Sequence, residues 1–440
     1  MEQVKKLKVV MLCGFSNEFI RSHLNLKKNR VFFNTLIKLF KLSPKVGQYH
    51  DAAPWISNLI DEFEKREDIE LHVISKHLGL RSNIQEFVSS GIYYHFYKSE
   101  ISSFFRIIDN FKIWKSLQLN SLFVKKIIKK INPDIVNVVG IENPTTAIPA
   151  YYIEGIPIYV LSQTIYSNPD RFKYSKPKKI NWDLELALHS KLKYFGVYSR
   201  MHYDLLKENN PEAIVFDYSF PSKPLPEVKQ VEKEYEFVNF ALSLDLRKGA
   251  HDSLKALAIV KEKYPAVRLN FIGNCQAKVK SELDDIIEKF GLHNNVVFTP
   301  FFEKQSDMFQ HLQKSKFAVL PCKMDVTSGT MSQSMFYKLP LVVYKTTGTP
   351  KFNINKECVL IAEMNNIEDL AEKMLFLMDN PEKAKQMSEN AHEYILKSKD
   401  NNKIMERLIS DYHAIIDHHY NQTPIPKELL FDTDNYPIYS

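Results

Sequence analysis

The sequence predicts an α/β protein of two Rossmann-like domains, each built on a parallel sheet. Short apolar runs without polar alternation recur along the chain, as in parallel strands that are covered on both faces. Stretches with helical spacing separate these runs, so the pattern is strand, helix, strand. At 440 residues, the chain also exceeds what one hydrophobic core usually supports. Two successive domains are therefore expected.

The first domain is predicted over residues 1–222. A helix is expected from Ala52 to Arg66, and a second begins where Asn143 can cap a helix with Pro144 at its first position. The predicted strands are Leu7 to Cys13, Glu70 to Ser75, Asp134 to Val139, Pro157 to Ser162 and Tyr194 to Tyr198.

Prolines and charges without apolar periodicity predict a linker over residues 223–235. The second domain is predicted over 236–400, and residues 401–440 are expected to form a C-terminal helix and tail. Its predicted strands are Phe237 to Leu242, Val267 to Gly273, Asn295 to Thr299, Phe317 to Pro321, Pro340 to Tyr344 and Cys358 to Ala362.

Composition excludes several classes of protein. The chain contains four cysteines but no CxxC pair, which indicates reduced thiols and neither a disulfide frame nor a zinc site. We expect a cytoplasmic protein, because no uncharged apolar run is long enough for a membrane-spanning helix and the N-terminal run is too short for a signal peptide. A formal charge of +7 suits an anionic partner, but no nucleic-acid reader motif accompanies it, so nucleic acid is not expected.

The segment from Phe317 to Pro350 contains the pattern with the clearest chemical meaning. A strand leads to Asp325, and Thr327, Ser328, Gly329 and Thr330 then open a helix. The free N–H groups of a helix start, with hydroxyls and a glycine, form an anion site that suits a diphosphate. An ordinary capped helix between two strands is the alternative interpretation.

A second pattern, Leu244 to Ala250, lies between a strand and a helix at the start of the second domain. Ligands of such folds bind beyond the carboxyl ends of the strands, so Lys248 is expected beside the same anion site. A lysine there can neutralise a departing phosphate. A solvated surface lysine is the alternative, and neither domain has the GxGxxG motif of a dinucleotide site.

These patterns carry a family resemblance over roughly Phe237 to Lys397. The run KGAHDSLKALAIVKEKYPAVRLNFIG, then NVVFTPF, the segment from Asp325 to Pro350, and NPEKAKQMSENAHEYI resemble in order the C-terminal domain of the retaining GT-B glycosyltransferases of family 4. The resemblance implies the GT-B fold, with two facing domains and a C-terminal helix that crosses back to the first.

The resemblance also implies a metal-independent glycosyltransferase without a cofactor, in which a nucleotide-diphosphate sugar is the co-substrate. Lys248 is similar to the family's diphosphate-binding lysine, and Asp325 lies where a carboxylate approaches the transferred sugar; these are the two expected catalytic residues. The implied donor-binding set is Gly14, Gln163, Ser243, Arg247, Lys248, Gly273, Asn274, Ser328, Gly329, Thr330 and Gln333.

Several positions depart from the family's pattern. Its Glu-x7-Glu motif is Asp325 and Gln333 here, its arginine before the lysine is Ser243, and its frequent histidine is Gln163. Altered donor use is the favoured interpretation. The alternatives are a catalytically silent nucleotide-sugar-binding partner and a GT-B-fold sugar-nucleotide epimerase.

The first domain is expected to hold a glycan or lipid-linked acceptor, in cell-surface polysaccharide biosynthesis by analogy with the family. His50, Asp51 and Glu142 are the acceptor-side candidates, since they lie beside predicted helix starts and strand ends. Retention of configuration implies that the acceptor hydroxyl enters from the side of the leaving group and needs no enzyme nucleophile.

Residues 27–45 contain apolar side chains at helical spacing, with lysines between them. Such a segment suits peripheral contact with an anionic bilayer, at the inner face of the cell membrane. A core-facing helix or a flap over the site with solvated lysines is the alternative.

Overall fold

The computed structural model describes two compact units. Unit 1 comprises Met1–Tyr198, His202–Ser222 and Asn401–Asp432, and unit 2 comprises Ser199–Met201, Lys223–Asp400 and Thr433–Ser440. The described residues are 6–26, 52–77, 79–98, 110–163, 165–167, 179–300, 302, 304–323 and 327–434.

The first 217 residues supply the sheet of unit 1 and its flanking helices. Asn143 caps its helix as predicted, since its side chain accepts from the Thr145 amide and Pro144 occupies the first helical position. In chain order the elements are β1 (Leu7–Cys13), α1 (Glu18–His23), α2 (Pro54–Phe63), β2 (Ile69–Lys76), β3 (Ile84–Ser89), β4 (Ile92–Tyr97), α3 (Asn110–Ile131), β5 (Ile135–Val139), α4 (Pro144–Tyr151), β6 (Ile158–Leu161), α5 (Lys179–Lys191), β7 (Tyr194–Val197), α6 (Arg200–Asn209) and β8 (Ile214–Asp217).

Among the described residues, the sheet of unit 1 has eight strands in the order β3-β4-β2-β1-β5-β6-β7-β8. The pairs are parallel except β3 with β4, which form an antiparallel hairpin at the edge of the predicted parallel sheet. Residues Ser90 and Gly91 connect these two strands with positive φ angles of 49° and 77°, which suits a tight hairpin. The continuous apolar strand β1 is buried at the centre of the sheet.

Residues 235–398 supply the second sheet and its helices. In chain order they are β9 (Tyr235–Ser243), α7 (Ala250–Lys263), β10 (Leu269–Asn274), α8 (Ala277–Phe290), β11 (Val296–Thr299), α9 (Gln305–Leu312), β12 (Ser315–Leu320), α10 (Gly329–Phe336), β13 (Leu341–Tyr344), β14 (Leu360–Ala362), α11 (Ile367–Asp379) and α12 (Pro381–Ser398). Within the residues that the structure describes, six parallel strands form this sheet in the order β11-β10-β9-β12-β13-β14. Strands β9 and β12 are therefore neighbours, and their carboxyl ends lie at the same edge.

The last helix, α13 (Asn401–Asn421), belongs to unit 1. Its buried residues Leu408, Tyr412 and Ile415 are part of the same hydrophobic core as Val9 and Met11 of β1. The return of a C-terminal helix to the first domain is thus confirmed, and it contributes core packing as well as a connection. Among the described residues, no helix is long and apolar enough to cross a membrane.

Candidate functional site

The turn after β9 presents Lys248 at the carboxyl edge of the second sheet. The Asp245 carboxylate accepts a hydrogen bond of 3.1 Å from the Lys248 amide and so closes a single 3-10 turn, Leu246–Lys248. The Arg247 side chain is bound within this turn, since its guanidinium Nε lies 3.0 Å from the Asp245 carboxylate. Lys248, which is half-buried, is placed by the backbone of this turn.

The turn after β9 packs directly against the loop after β12. Gly249 has a φ of 74°, and a Cβ atom placed on it would lie 2.2 Å from the Pro321 carbonyl oxygen. The Lys323 amide donates a hydrogen bond of 2.9 Å to the Arg247 carbonyl. Only glycine allows this approach, and it brings the two loops into contact next to Lys248.

A buried ion pair fastens the same two loops. The Lys323 ammonium lies 2.6 Å from the Asp252 carboxylate on α7, and the two side chains are only 7% and 6% exposed. The hydroxyl of Tyr344, the last residue of β13, donates to the same oxygen at 2.8 Å. The start of α7, the loop after β12 and the end of β13 therefore meet at the Asp252 carboxylate. The sequence analysis did not predict this pair, because it joins two residues that are distant along the chain.

Helix α10 begins at this edge with exposed donors. Ser328 caps the helix and accepts from the Met331 amide at 3.3 Å, while its hydroxyl lies 2.8 Å from that of Thr330. A Cβ placed on Gly329 would meet open space. Among the residues that the structure describes, the amides of Gly329 and Thr330 find no acceptor. These two donors and the helix dipole favour an anion at this point.

Three other predicted residues lie at the same edge, at the carboxyl ends of β9 and β10. Gly273 has a φ of 142°, and a Cβ there would lie 1.9 Å from the Ala241 carbonyl oxygen, so this position also requires glycine. Ser243 pairs in register with Asn274, whose carbonyl accepts from Leu244 at 2.8 Å. These residues surround the Lys248 turn on the side away from β12.

Gln333 and Cys275 also lie near this edge. Gln333 lies one turn into α10 and is half-buried. Burial raises the pKa of the nearby Cys275 thiol, so that thiol stays protonated at neutral pH and is a poor nucleophile.

Unit 1 brings its predicted residues together at the carboxyl ends of β1, β5 and β6, which are neighbouring strands. Gly140 has a φ of 83°, and a Cβ on it would lie 2.6 Å from Glu142 Oε1 and 2.9 Å from Gln163 Nε2. Gly14 lies beside the cap residue of α4, with Asn143 Nδ2 at 3.7 Å from its built Cβ. A carboxylate and an amide therefore lie against one left-handed glycine, next to the loop after β1.

The sequence reasoning missed Glu185, which supports this edge of unit 1. Its fully buried carboxylate on α5 accepts from the amides of Tyr166 and Ser167 at 2.8 and 2.9 Å and from the Ser167 hydroxyl at 2.8 Å. Asn181, on the same helix, donates to the Glu142 carbonyl at 3.2 Å. Helix α5 thus fixes the backbone at Glu142 and just after Gln163.

Some predicted residues lie outside the described ranges. These are His50 and Asp51 on the acceptor side, Asp325 on the donor side, and the 27–45 segment.

The fold is found in solved structures of sugar-nucleotide enzymes. Sucrose-phosphate synthase from Thermosynechococcus elongatus superposes with a TM-score of 0.64 at 10% identity, over 93% of this chain and 98% of that one. The trehalose-6-phosphate structure from E. coli with bound UDP-2-fluoro glucose has a TM-score of 0.61 at 12% identity, over 92% and 98%. At such identities the likeness shows the fold alone, and the fold is GT-B, as predicted.

The sequence of unit 2 is similar to a known family. Residues 222–394 match the model of the glycosyl transferases group 1. An uncharacterized glycosyltransferase from Haemophilus influenzae is 24% identical over 211 residues, which are 48% of this chain and 56% of that protein. The matched region thus spans about half the length of the curated relatives. These findings support the assignment of the chain to the glycosyltransferases.

Proposed function

We propose that this protein transfers a hexosyl group from a nucleoside-diphosphate sugar to a glycan or lipid-linked acceptor, with retention of configuration. Unit 2 binds the donor and unit 1 the acceptor, and the product belongs to cell-surface polysaccharide biosynthesis. The observation that carries the proposal is the contact between the two loops of unit 2. The Lys323 amide bonds to the Arg247 carbonyl, which sets the Lys248 turn beside the loop that leads to the α10 donors.

The chemistry requires charge stabilisation on a departing phosphate. As the bond from the sugar C1 to the diphosphate oxygen breaks, negative charge grows on that oxygen, and Lys248 with the amides of Gly329 and Thr330 stabilises it. Preorganised donors of this kind act strongly because they need no reorganisation during the reaction. In this proposal they do the work that a divalent metal does in other transferases, and no cofactor takes part.

The acceptor hydroxyl then completes the exchange. Its oxygen forms the new bond to C1 on the face that the diphosphate leaves, and its proton passes to the departing phosphate oxygen. The products are a glycoside and a nucleoside diphosphate, so atoms and charges balance without an enzyme nucleophile. Asp325 is proposed to lie near the transferred sugar, and Gln333 near the nucleotide ribose.

Unit 1 supplies polar groups for the acceptor. Glu142 and Gln163 lie against Gly140 at the carboxyl ends of β5 and β6, where a sugar hydroxyl can bond to a carboxylate and an amide together. His50 and Asp51 stay proposals on this side. Residues 27–45 are proposed to contact the inner face of the cell membrane, where a lipid-linked acceptor would be reached.

A nucleotide screen tests the proposal. Thermal shifts are measured with uridine, guanosine, adenosine and cytidine diphosphates, the uridine compound first, because the E. coli structure of this fold holds a UDP sugar. We expect one of them to raise the melting temperature by mass action. Lys248→Ala should remove most of that shift, and Lys255→Ala, at an exposed position of α7, should keep it.

Turnover assays separate the rival functions. With the matching sugar nucleotide, Lys248→Ala should lower the rate of transfer by about 10²–10³-fold, the usual effect of losing one charge-stabilising group. Conversion of the sugar nucleotide without any acceptor would instead indicate an epimerase. Binding without turnover across a broad panel of acceptors would indicate a silent partner, and equal nucleotide binding by Lys248→Ala would contradict the donor site itself.

A further inference from the structure

Helix α3 carries a strongly basic face. Its residues 110–131 include no Asp or Glu, and in its described second half Lys125, Lys126, Lys129 and Lys130 are all exposed. Lys130 pairs with Glu86 at 3.1 Å, whereas Lys126 and Lys129 take part in no ion pair among the described residues. Leu122 lies one turn before Lys126 and is 61% exposed, so an apolar side chain accompanies the cations.

The basic surface continues beyond α3 onto the ends of α4 and α5. The Lys125 ammonium lies 5.5 Å from the Tyr152 ring centroid, and that of Lys191 lies 4.3 Å from the Tyr151 ring. The two tyrosine rings pack edge to face at 5.3 Å. Lys193 is exposed next to Lys191, and Glu154 and Glu212 are exposed acids toward the same edge of the unit. We call Leu122, Lys125, Lys126, Lys129, Tyr151, Tyr152, Lys191 and Lys193 the basic face.

We propose that the basic face attaches the protein to an anionic phospholipid bilayer. Lysines near such a surface gain about fivefold each in partitioning, and tyrosines are enriched at the level of the headgroups. Leu122 then enters the boundary between headgroups and acyl chains. This attachment is independent of sugar transfer and uses residues other than the 27–45 segment.

The packing of the face favours a bilayer over nucleic acid. A polyanion would use the lysines, but it would leave Leu122 in water. The tyrosine rings pack on each other and lie under lysine ammonium groups, so their faces are not presented for stacking with bases.

The position of the face keeps the predicted acceptor residues accessible. Helices α3, α4 and α5 end at Ile131, Tyr151 and Lys191, just before β5, β6 and β7 begin. The basic face therefore lies toward the amino-terminal edge of the sheet. Gly14, Glu142 and Gln163 follow the carboxyl ends of their strands at the opposite edge, so attachment leaves them uncovered.

Vesicle flotation of the full chain tests the proposal, without any sugar or nucleotide. Wild-type protein should float with vesicles of phosphatidylcholine and phosphatidylglycerol and should stay behind with phosphatidylcholine alone. Lys126→Glu/Lys129→Glu should lower partitioning by at least about tenfold, given the contribution of each lysine. The matched control, Lys255→Glu/Lys385→Glu on exposed positions of unit 2, changes the net charge equally and should float like the wild type.

Leu122→Ser distinguishes a bilayer from a polyanion. It should reduce flotation, most clearly at high salt, where the Debye length shrinks to about 3 Å and the lysines contribute little. It should leave any binding to heparin or DNA unchanged. The proposal is overturned if wild-type protein does not float with the anionic vesicles, or if the α3 lysine variant floats like the wild type. It is also overturned if Leu122→Ser does not change flotation while heparin or DNA fully competes with the vesicles for the protein. Circular dichroism melting confirms that each variant is folded.

Discussion

Among the residues that the structure describes, each unit buries one aspartate, and the two are held in opposite ways. In unit 2, Asp252 lies 2.6 Å from the Lys323 ammonium and accepts from the Tyr344 hydroxyl. In unit 1, the fully buried Asp411 of α13 accepts from the Tyr159 hydroxyl at 2.9 Å, and its nearest cation, Arg407 Nε, is 3.3 Å away. Burial raises the pKa of the Asp411 carboxyl to about 7.

The difference follows from what each carboxylate joins. Asp252 connects loops at the edge where a ligand is proposed to bind, and a close, compensated ion pair keeps those loops in one arrangement. Asp411 connects a helix to a central strand inside a hydrophobic core, where apolar contacts already provide most of the stability. A buried charge with a weak partner is tolerated there, at the cost of a shifted pKa.

The largest effect is expected from breaking the compensated pair. Asp252→Ala leaves the Lys323 ammonium buried without its carboxylate, and the free energy of unfolding should fall by about 3–5 kcal/mol in urea titrations. The nucleotide-induced thermal shift should fall as well, because the Lys248 turn loses its support.

A double variant separates charge from packing. Asp252→Ala/Lys323→Met removes both charges, so it should recover most of the stability that Asp252→Ala alone loses. If the double variant is as unstable as the single one, the ion pair is not what holds the two loops together.

A smaller effect is expected at the edge of unit 1. Glu142→Gln should raise the acceptor KM or lower kcat/KM by about tenfold, since one charged hydrogen bond to a hydroxyl is lost. The nucleotide-induced thermal shift should not change. Glu154→Gln, at an exposed position of the same unit, is the matched control. A loss of nucleotide binding in Glu142→Gln would show that donor and acceptor groups are not divided as proposed.

The smallest effect concerns Asp411 and is a dependence on pH. The folded-state pKa of about 7 lies above the ordinary value of 3.8 for an aspartate, so the folded protein binds the extra proton. Stability from this group therefore falls as pH rises through 7, by about 1 kcal/mol between pH 6 and pH 8. Urea titrations at the two pH values should show this difference in the wild type but not in Asp411→Asn. Equal pH dependence in both proteins would contradict the raised pKa.

Much of the fold could be predicted because most strands are buried on both faces. Continuous apolar runs such as Leu7 to Cys13 and Phe317 to Pro321 lie within one or two residues of β1 and β12. Strands β3 and β4 were not predicted, and β3 lies at the sheet edge, where the exposed Glu86 and Val88 alternate with half-buried residues. The Ser-Gly turn between them was the available signal.

The candidate site was predictable where it depends on the ends of strands. Lys248 and the start of α10 follow the neighbouring strands β9 and β12, so sequence order and parallel topology suffice to bring them to one edge. The Lys323–Asp252 pair and the hydrogen bonds from Tyr166 and Ser167 to Glu185 could not be predicted. They join separate elements of the fold and depend on the rotamers of the side chains. Such contacts depend on packing that no local pattern records.

The return of α13 to the core of unit 1 determines how this protein can be divided. Residues 223–400 form the continuous main part of unit 2, so we expect them to fold as a single fragment. Cleavage at residue 400 would strip Leu408 and Tyr412 from the hydrophobic core around β1. Isolation of unit 1 therefore requires that α13 stay with it, for example by circular permutation or by fragment complementation, in which a separate peptide containing α13 binds to the truncated chain.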